Sequence, residues 1–493
     1  MILAIDQGTT GTTCLVFDDQ AELIGRAQRE FPQHFPHPGW VEHDLRDIWH
    51  VTHVTAGEAL TDAGVRPGEL QAVGITNQRE TVCVWDPKTG QPLHNAIVWQ
   101  DRRTAERCED LRAAGHEQLV RERTGLVLDP YFSATKIAWL LEHVHGLAEQ
   151  VAADRAVFGT IDSYLIHRLT GEHVTDATNA SRTSLFNLAT GDWDDELIEL
   201  FGVGAAPLPR IVASAGSVAT TIADRLHGHA VPVAGIAGDQ QAALFGQACL
   251  DPGFGKNTYG TGSFVLVNTG FTPPDPTPGL LATVAAKIGG ATSYAQEASI
   301  FVTGAAVQWL RDGLGMIDNA AETDALARSL DSNDGVYFVP ALTGLGSPHW
   351  DPHARGTITG LTRGSTKAHF ARATLEAIAY QTADAITAIE AAPGAPALTE
   401  LRVDGGATVN NWLMQFQADI LGVPVVLPEI AETTALGAAY LAGVGIGIWT
   451  LSDVAQNWRE RRRFEPQMTD VEREQLLDGW ADALARTRSA ADS

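Results

Sequence analysis

A strand–turn–strand pattern occurs twice in this chain, with about half of the sequence between the two copies. The first copy is AIDQGTTGTTCLVF at residues 4–17, and the second is KNTYGTGSFVLV at residues 256–267. In both, Gly and Thr separate two apolar runs, which is typical of a tight polar turn between antiparallel strands. Two similar hairpins so far apart predict two related domains that face each other. Chance recurrence of Gly-Thr turns is the alternative interpretation.

Short apolar strands alternate with longer amphipathic helices along the 493 residues, which is typical of an α/β fold. We expect strands at residues 2–5, 13–17, 72–75, 81–85, 231–236, 264–268, 335–339 and 400–403. We expect helices at residues 44–63, 131–143, 239–247, 304–314, 368–391 and 410–421. The domain boundary is predicted just after the third of these helices, giving an N-terminal domain at 1–250 and a C-terminal domain at 251–493.

The composition excludes several classes of protein. A formal net charge of −26 argues against a basic nucleic-acid binder, and 44% hydrophobic residues argue against disorder. The four cysteines are scattered without a C-x-x-C pair, which favours a reducing compartment. The chain passes from Met1 directly into an apolar strand without a basic leader, and its longest apolar run, 435–449, contains several glycines. We therefore expect a cytoplasmic protein of several domains, with no stable membrane association and no nucleic-acid partner.

The first hairpin has the composition of a phosphate-binding turn. Gly8 and Gly11 have no Cβ, so backbone N–H groups and Thr hydroxyls can approach a phosphate closely. Asp6, at the end of the first strand, could hold a divalent cation through water. The sequence contains no G-x-x-x-x-G-K-[ST] motif, which excludes a P-loop. An ordinary hairpin turn with a polar cap is the alternative.

Two later turns could carry catalysis and nucleotide binding. In GDQQAALFGQ, at 238–247, Asp239 follows an apolar strand and opens a helix, a common position for catalytic groups in α/β sheets. The alternative is that Asp239 only caps the helix. In RVDGGATVNN, at 402–411, a Gly pair follows another strand. This turn could admit a flat adenosine ring against bare backbone, or it could be a plain strand-to-helix connection.

Two polar clusters follow apolar strands in the first half of the chain. GITNQRE, at 74–80, contains Arg79 and Glu80, and NAIVWQDRRT, at 95–104, contains Trp99. Adjacent Arg and Glu side chains can present donors and acceptors to the hydroxyls of a polyol, while Trp packs against its carbon face. Salt-bridged surface turns are the alternative interpretation of both clusters.

Taken together, nine segments resemble the FGGY family of carbohydrate kinases, a branch of the actin-like ATPase superfamily. In chain order they are AIDQGTTGTT, GITNQRE, NAIVWQDRRT, DPYFSATK, GDQQAALFGQ, KNTYGTGSF, GAAVQWLRD, GLGSPHWDPHARG and RVDGGATVNN. The resemblance extends from residue 2 to about residue 450. Its Arg-Glu, Trp-Gln and Asp-Pro-Tyr-Phe segments are similar to those of family members that act on glycerol rather than on a larger sugar.

The resemblance implies two ribonuclease-H-like domains, each a mixed five-stranded sheet flanked by helices, with the active site in the cleft between them. The implied reaction is ATP-dependent phosphorylation of glycerol to sn-glycerol 3-phosphate and ADP, with Mg²⁺, as a step of glycerol uptake and catabolism. A homodimer or homotetramer is the implied assembly.

The resemblance also assigns roles to individual residues. Asp239 is the implied general base. The implied glycerol-binding residues are Arg79, Glu80, Trp99, Tyr131, Asp239, Gln240 and Phe264. The implied phosphate and nucleotide residues are Thr9, Thr10, Gly11, Thr13, Thr261, Gly304, Gln308, Gly406 and Asn410. Asp6 and Asp239 are implied around Mg²⁺. These roles suit phosphoryl transfer, which depends chiefly on positioning and charge neutralisation.

The sequence departs from the family pattern at Thr13, where related bacterial enzymes carry an Arg associated with nucleotide phosphate. We expect Thr13 to weaken one ATP contact without abolishing activity. Two alternative functions stay open at this point. One is a kinase for another small polyol or ketose, and the other is an acceptor-independent actin-like ATPase. Dependence of ATP turnover on glycerol distinguishes them.

Overall fold

The computed structural model describes residues 1–66 and 68–489. The first strands are β1 (Ile2–Gln7), β2 (Gly11–Phe17), β3 (Leu23–Glu30), β4 (Glu42–His43), β5 (Ala72–Asn77), β6 (Val82–Trp85), β7 (Ala96–Ile97), β8 (Val157–Thr160), β9 (Val174–Asp176), β10 (Phe186–Asn187), β11 (Asp192–Trp193) and β12 (Arg210–Val212). They are followed by β13 (Ala215–Thr220), β14 (Pro232–Gly238), β15 (Phe254–Tyr259), β16 (Ser263–Gly270), β17 (Leu281–Ile288), β18 (Ala291–Ile300), β19 (Tyr337–Val339), β20 (Thr357–Thr359), β21 (Glu400–Gly405), β22 (Val425–Pro428) and β23 (Glu460–Phe464).

The helices alternate with these strands. The α-helices are α1 (Leu45–Asp62), α2 (Ala105–Ala113), α3 (Glu117–Thr124), α4 (Ser133–His143), α5 (Leu147–Ala152), α6 (Ile161–Thr170), α7 (Ala177–Ala180), α8 (Asp195–Phe201), α9 (Asp239–Gly246), α10 (Gly304–Gln308), α11 (Glu322–Arg328), α12 (Lys367–Glu390), α13 (Asn411–Leu421), α14 (Thr433–Gly445), α15 (Leu451–Asn457) and α16 (Asp470–Thr487). Short 3-10 turns lie at Ala223–Arg225 and Gly406–Val409.

The predicted strands and helices are all present, with small differences at their ends. The strand predicted at 335–339 is shorter, because Gly335 adopts a φ of 77° and β19 begins only at Tyr337. The helix predicted at 304–314 is divided, since α10 ends at Gln308 and continues as one π-helical segment over Trp309–Gly313. The helical period therefore gave the position of this element but not its change of winding.

The main sheet contains two halves with the same strand order and direction. In the N-terminal half the order is β3-β2-β1-β5-β14, and in the C-terminal half it is β18-β16-β15-β21-β22. In each half the first three strands form two antiparallel pairs, and the last three strands form two parallel pairs. The hairpins β1–β2 and β15–β16 thus occupy equivalent places, which confirms the prediction of two related units.

The two five-stranded mixed sheets expected from the family resemblance are joined in the structure. β13 and β17 lie between them and meet through the pair Ala215–Ile288, so that one sheet of 13 strands results. The remaining outer strand, β23, extends the C-terminal half beyond β22. The chain passes from α9 to β15 around residue 250, where we propose the boundary between the two units.

Helix α14 brings part of the second half of the chain onto the first half of the sheet. It packs against β5, β14 and α9. Small residues permit this close approach: a Cβ on Gly437 would stand 1.8 Å from the carbonyl oxygen of Ala242, and one on Gly74 would stand 2.1 Å from that of Ala438. Its apolar sequence therefore serves a buried core position. Among the described helices, none combines the length and the apolar character needed to cross a bilayer.

Candidate active site

The functional segments of the N-terminal half meet at one edge of its sheet. β1, β5 and β14 are parallel, and their last residues are in register, with Gln7 beside Asn77 and Asn77 beside Gly238. The turns that follow these strands therefore lie together at their carboxyl ends, which is where open α/β sheets bind ligands.

Asp239 is the first residue of α9, and Gly238 is the N-cap. Its side chain is therefore not the cap that the alternative interpretation of the sequence required. Asp239 Oδ1 accepts a hydrogen bond of 2.7 Å from the N–H of Gln240 and lies 3.3 Å from Arg79 Nε. Both contacts use Oδ1, and the side chain is 29% exposed. One carboxylate oxygen is thereby fixed, and the group remains accessible from the cleft.

Four charged side chains form a buried network beside Asp239. Arg79 holds Glu297 through Nη1–Oε2 at 2.6 Å and Nη2–Oε1 at 3.1 Å. Arg182 donates from Nε to Glu80 Oε1 at 2.7 Å and from Nη2 to Glu297 Oε1 at 3.0 Å. The four side chains are at most 2% exposed. Such a network is stable only when every charge has its partner, because an isolated buried charge is costly.

The electrostatic environments of the two carboxylates in this network differ. Burial acts to raise the pKa of Glu297, but the charges of Arg182 and Arg79 outweigh it and lower that pKa to about 2. For Glu80, burial exceeds the attraction of Arg79 and Arg182, so its pKa is raised. Glu297 is therefore the firmly ionised partner of the two arginines.

The backbone at Glu80 is strained. Its φ is 61°, in the left-handed region that side chains with a Cβ disfavour. Neighbouring contacts hold it there: the Ser133 hydroxyl donates to the carbonyl of Glu80 at 2.9 Å, and the N–H of Thr81 donates to the carbonyl of Arg79 at 2.7 Å. Such conformations persist where the surroundings determine them, commonly at functional sites. Here the strain presents the Glu80 carboxylate to Arg182.

Aromatic side chains form a wall next to these charges. The indole N–H of Trp99 donates to Thr9 Oγ1 at 2.9 Å, and its ring meets that of Tyr131 edge-to-face at 5.6 Å between centroids. Arg79 Nη2 donates to the Tyr131 hydroxyl at 3.4 Å. Phe264, on β16, has its ring centroid 5.8 Å from Arg79 Cζ. An apolar wall beside donors and acceptors suits a small polyol, which has hydroxyls on a short carbon chain.

The side chain of Gln240 is hydrogen-bonded to a buried lysine. Lys256 Nζ donates to Gln240 Oε1 and, at 2.9 Å, to Thr258 Oγ1. Burial lowers the pKa of Lys256 to about 8. Since the amide oxygen of Gln240 is engaged, its NH₂ group is the part left to face a ligand.

The turn after β1 is compact and contains exposed hydroxyls. The N–H of Gly8 donates to the carbonyl of Gly11 at 2.9 Å, which closes the turn around Thr9 and Thr10. A Cβ on Gly11 would stand 2.6 Å from the carbonyl oxygen of Arg29, so the β2–β3 pairing here requires glycine. Thr10 is exposed, as a phosphate-binding residue needs to be.

Asp6 lies directly across the β1–β2 ladder from Thr13. Burial, and after it the charge of Asp239, raises the pKa of Asp6 to about 7. A cation bound beside Asp6 would offset the cost of ionising this buried carboxyl. No group of three or more His, Cys, Asp or Glu residues that could hold a metal occurs within 1–66 and 68–489. Mg²⁺ ordinarily binds one or two carboxylates and completes its shell with water and phosphate oxygens, so Asp6 and Asp239 fit it.

The predicted nucleotide residues gather at the equivalent edge of the C-terminal half. The turn between β15 and β16 carries Thr261, and its carbonyl accepts the N–H of Thr303 at 3.0 Å. Gly304 opens α10 and donates from its N–H to the carbonyl of Gly260 at 3.1 Å. Gln308, at the end of that helix, is exposed.

The neighbouring turn after β21 completes this edge. Tyr259, the last residue of β15, is in register with Gly405, whose φ is 91°. A Cβ on Gly405 would stand 2.2 Å from the Tyr259 carbonyl oxygen, whereas one on Gly406 would meet nothing within 4 Å. Asn410 caps α13 by accepting the Leu413 N–H. The exposed, open backbone at Gly406 is where a flat ring can lie against the chain.

Three charged residues of the site were not predicted from the sequence: Arg182, Lys256 and Glu297. Their signal is a single charge in an otherwise neutral stretch. Glu297 is the only charged residue of ATSYAQEASI, and Lys256 lies inside the second copy of the hairpin motif. Since buried charges need partners, each such residue could have been expected to bind another polar or charged side chain in the interior.

Two protein-family models match the chain. The N-terminal domain of the FGGY family of carbohydrate kinases matches residues 1–246, and the C-terminal domain of the same family matches residues 255–446. Together they account for most of the sequence.

Relatives of known function match over the full length. A glycerol kinase from Deinococcus radiodurans is 54% identical over 494 aligned residues, covering 100% of this chain and 98% of the relative. A glycerol kinase from Rhodospirillum centenum is 56% identical, covering 99% of this chain and 98% of the relative. Glycerol kinase 2 from Thermotoga maritima is 53% identical, with the same coverage of 99% and 98%.

Solved structures agree with these matches. The crystal structure of Plasmodium falciparum glycerol kinase with ADP has a TM-score of 0.94 and 35% identity, covering 99% of this chain and 98% of that one. Gluconate kinase from Lactobacillus acidophilus, at 22% identity and a TM-score of 0.87, shares the fold. The chain therefore belongs to the FGGY family of carbohydrate kinases, in the branch of the glycerol kinases.

Proposed function

We propose that this protein transfers the γ-phosphoryl group of ATP to a primary hydroxyl of glycerol, giving sn-glycerol 3-phosphate and ADP. The observation that carries the proposal is the position of Asp239, partly exposed at a sheet edge and 3.3 Å from the buried Arg79. A base beside fixed hydrogen-bonding groups and an aromatic wall is what phosphorylation of a small polyol needs. Relatives named glycerol kinases over the whole chain support glycerol as the polyol.

Glycerol would bind between the charged network and the aromatic wall. Arg79, Glu80, Tyr131 and Gln240 would hydrogen-bond its hydroxyls, with Asp239 at the hydroxyl that reacts. Trp99 and Phe264 would cover its carbons. Since Arg79 and Glu80 are already fixed by ion pairs, binding would cost little side-chain entropy.

Asp239 would act as the general base through Oδ2, since Oδ1 is engaged by Gln240 and Arg79. As the glycerol oxygen forms its bond to the γ-phosphorus, its proton passes to Asp239. The bond between the γ-phosphorus and the bridging oxygen breaks, and its electron pair leaves with ADP. The proton leaves late in a loose transition state, so a carboxylate is a sufficient base.

The two turns would hold ATP from opposite sides. Thr9, Thr10 and Gly11, with Thr13 nearby, would contact the transferring phosphoryl group. The nucleotide would lie against Thr261, Gly304, Gln308, Gly406 and Asn410. Mg²⁺ held by Asp6 and Asp239 would neutralise charge on the phosphate oxygens. Approach of the two half-sheets would exclude water and limit ATP hydrolysis.

The testing experiment is a coupled assay of ADP release with ATP and Mg²⁺ and a panel of acceptors. The panel comprises glycerol, dihydroxyacetone, erythritol, D-xylulose and no acceptor. We expect strong turnover with glycerol, little with D-xylulose and almost none without acceptor. Preference for another polyol would contradict the assigned roles of Arg79, Glu80 and Trp99. ATP hydrolysis independent of acceptor would contradict the kinase function and favour an actin-like ATPase.

Two further properties follow as proposals from this function and from the family resemblance. We propose that the protein acts in the cytoplasm, where ATP and Mg²⁺ are supplied. We also propose a homodimer or homotetramer, which sedimentation equilibrium tests; a monomer at micromolar concentration would contradict it.

A further inference from the structure

The buried ion network joins the two halves of the chain. Arg79 and Glu80 follow β5 of the N-terminal half, and Arg182 follows α7, whereas Glu297 lies on β18 of the C-terminal half. Glu297 receives hydrogen bonds from both arginines, at 2.6 and 3.1 Å from Arg79 and at 3.0 Å from Arg182. Its side chain is 0% exposed, and both of its carboxylate oxygens are engaged by the two arginines.

We propose that Glu297 and Arg182 are positioning residues for glycerol, an inference that rests on the function proposed above. Glu297 fixes the guanidinium of Arg79, and Arg182 fixes the carboxylate of Glu80. Neither Glu297 nor Arg182 contacts the polyol. They set the direction in which Arg79 and Glu80 present their remaining donors and acceptors to its hydroxyls.

The geometry shows why Arg79 depends on Glu297. Arg79 Nε also lies 3.3 Å from Asp239 Oδ1 and 3.7 Å from Glu80 Oε1. Without the carboxylate of Glu297, these two are the nearest anions, and the guanidinium would turn towards them. It would then form a closer ion pair with the catalytic base and with a glycerol-binding carboxylate. Both of these closer ion pairs would occupy groups that glycerol needs, and would therefore weaken glycerol binding.

Arg182 acts in the same way on Glu80. Its Nε bond to Glu80 Oε1 measures 2.7 Å, and this is the same oxygen that Arg79 Nε faces. Oε2 of Glu80 is therefore the oxygen directed by this arrangement towards a ligand. The planar guanidinium can hold Glu80 and Glu297 at once, which a lysine ammonium on a flexible stem does less well.

The position of Glu297 also distinguishes glycerol binding from nucleotide binding. Glu297 pairs across the sheet with Leu266 and Leu281. Leu266 lies five positions after Thr261 on the chain, and Glu297 lies seven positions before Gly304. Loss of its carboxylate should therefore change glycerol binding and leave ATP binding nearly unchanged. A purely structural role would not produce this separation, because general loosening affects both substrates.

The test is a comparison of Glu297→Gln with wild type and with a matched control, Glu376→Gln. Glu376 is also a buried carboxylate paired with an arginine, at 2.7 Å from Arg372 Nε, but it lies on α12 outside the site. Michaelis constants for glycerol and for ATP are measured for all three proteins. We expect Glu297→Gln to raise the glycerol KM by about 10- to 100-fold, from the loss of one or two charge-assisted hydrogen bonds, with the ATP KM within about threefold.

The control and a second variant of Glu297 distinguish a positioning role from a general loss of stability. Glu376→Gln should be destabilised and yet keep the wild-type KM for glycerol. Glu297→Asp, which restores the charge with a shorter reach, should recover part of the glycerol affinity. If Glu297→Gln does not fold, Arg182→Lys, which keeps the charge but not the fork, should raise the glycerol KM selectively.

The outcomes are distinguishable from failure of the proposed function. Equal changes in both Michaelis constants, or an unchanged glycerol KM in a folded variant, would overturn the positioning roles while wild type still phosphorylates glycerol. Absence of glycerol turnover in wild type would instead contradict the function on which the inference rests.

Discussion

Asp6 offers a test that combines stability, pH and metal binding. Its pKa is raised from 3.8 to about 7, first by burial and then by the charge of Asp239. Between these two values the folded protein keeps a proton that the unfolded chain has lost. The free energy of unfolding should therefore fall as pH rises through this window and level off above it.

The magnitude follows from the size of this shift. One pKa unit corresponds to about 1.4 kcal/mol, so ionisation of Asp6 removes up to roughly 4 kcal/mol of stability by pH 8 when no Mg²⁺ is present. Asp6→Asn has no such proton to lose. The stability of the variant relative to wild type should thus increase with pH, by roughly 3 kcal/mol between pH 5 and pH 8, while the variant loses most of its activity.

The assay is chemical unfolding of wild type and Asp6→Asn in EDTA at about pH 5, 6, 7 and 8. Other buried carboxyls, such as Asp162 with a pKa raised to about 6 by burial, contribute to both proteins and cancel in the difference. Added Mg²⁺ should stabilise wild type at pH 8 more than the variant. A stability difference that stays constant with pH, or equal stabilisation of both proteins by Mg²⁺, would refute the reasoning.

Two further substitutions test the two substrate sides separately. Arg79→Ala should raise the glycerol KM by about 100-fold, because charge-assisted hydrogen bonds are lost, with a much smaller change in the ATP KM. Steady-state kinetics measures both constants, and equal changes in the two would contradict a position of Arg79 at the glycerol site. Thr13→Arg should lower the ATP KM by about three- to tenfold, because it adds a cation at the phosphate turn. Because residue 13 lies across the β1–β2 ladder from Asp6, the added positive charge should also lower the pKa of the Asp6 carboxyl. An unchanged or higher ATP KM would contradict the expected phosphate contact.

The sequence predicted the local elements of the site well because each has a short-range cause. Asp239 follows an apolar strand and precedes a helix, and the Gly-Thr turns require residues without bulk. Both patterns can therefore be recognised within a few consecutive residues. The equivalence of the hairpins β1–β2 and β15–β16 was visible for the same reason. Family resemblance then assigned a role to each residue, which no local pattern could do.

The parts that sequence reasoning missed depend on contacts between distant segments. Glu297 and Arg182 are 115 positions apart and meet only after the two halves of the sheet have formed. The joining of the halves through β13 and β17 rests on a single residue pair, which has no sequence signature. The strained φ of Glu80 likewise arises from its surroundings, since glutamate has no preference for that conformation.

Replacement of Asp239 by Asn tests the central claim most directly. The substitution keeps the shape of the side chain, and its carbonyl oxygen can still accept the N–H of Gln240. Phosphorylation of glycerol should fall by about 10²- to 10⁴-fold, the usual contribution of a general base, while calorimetry shows glycerol and ATP still binding. Near-normal turnover in a variant that binds both substrates would contradict the assignment of Asp239 as the base.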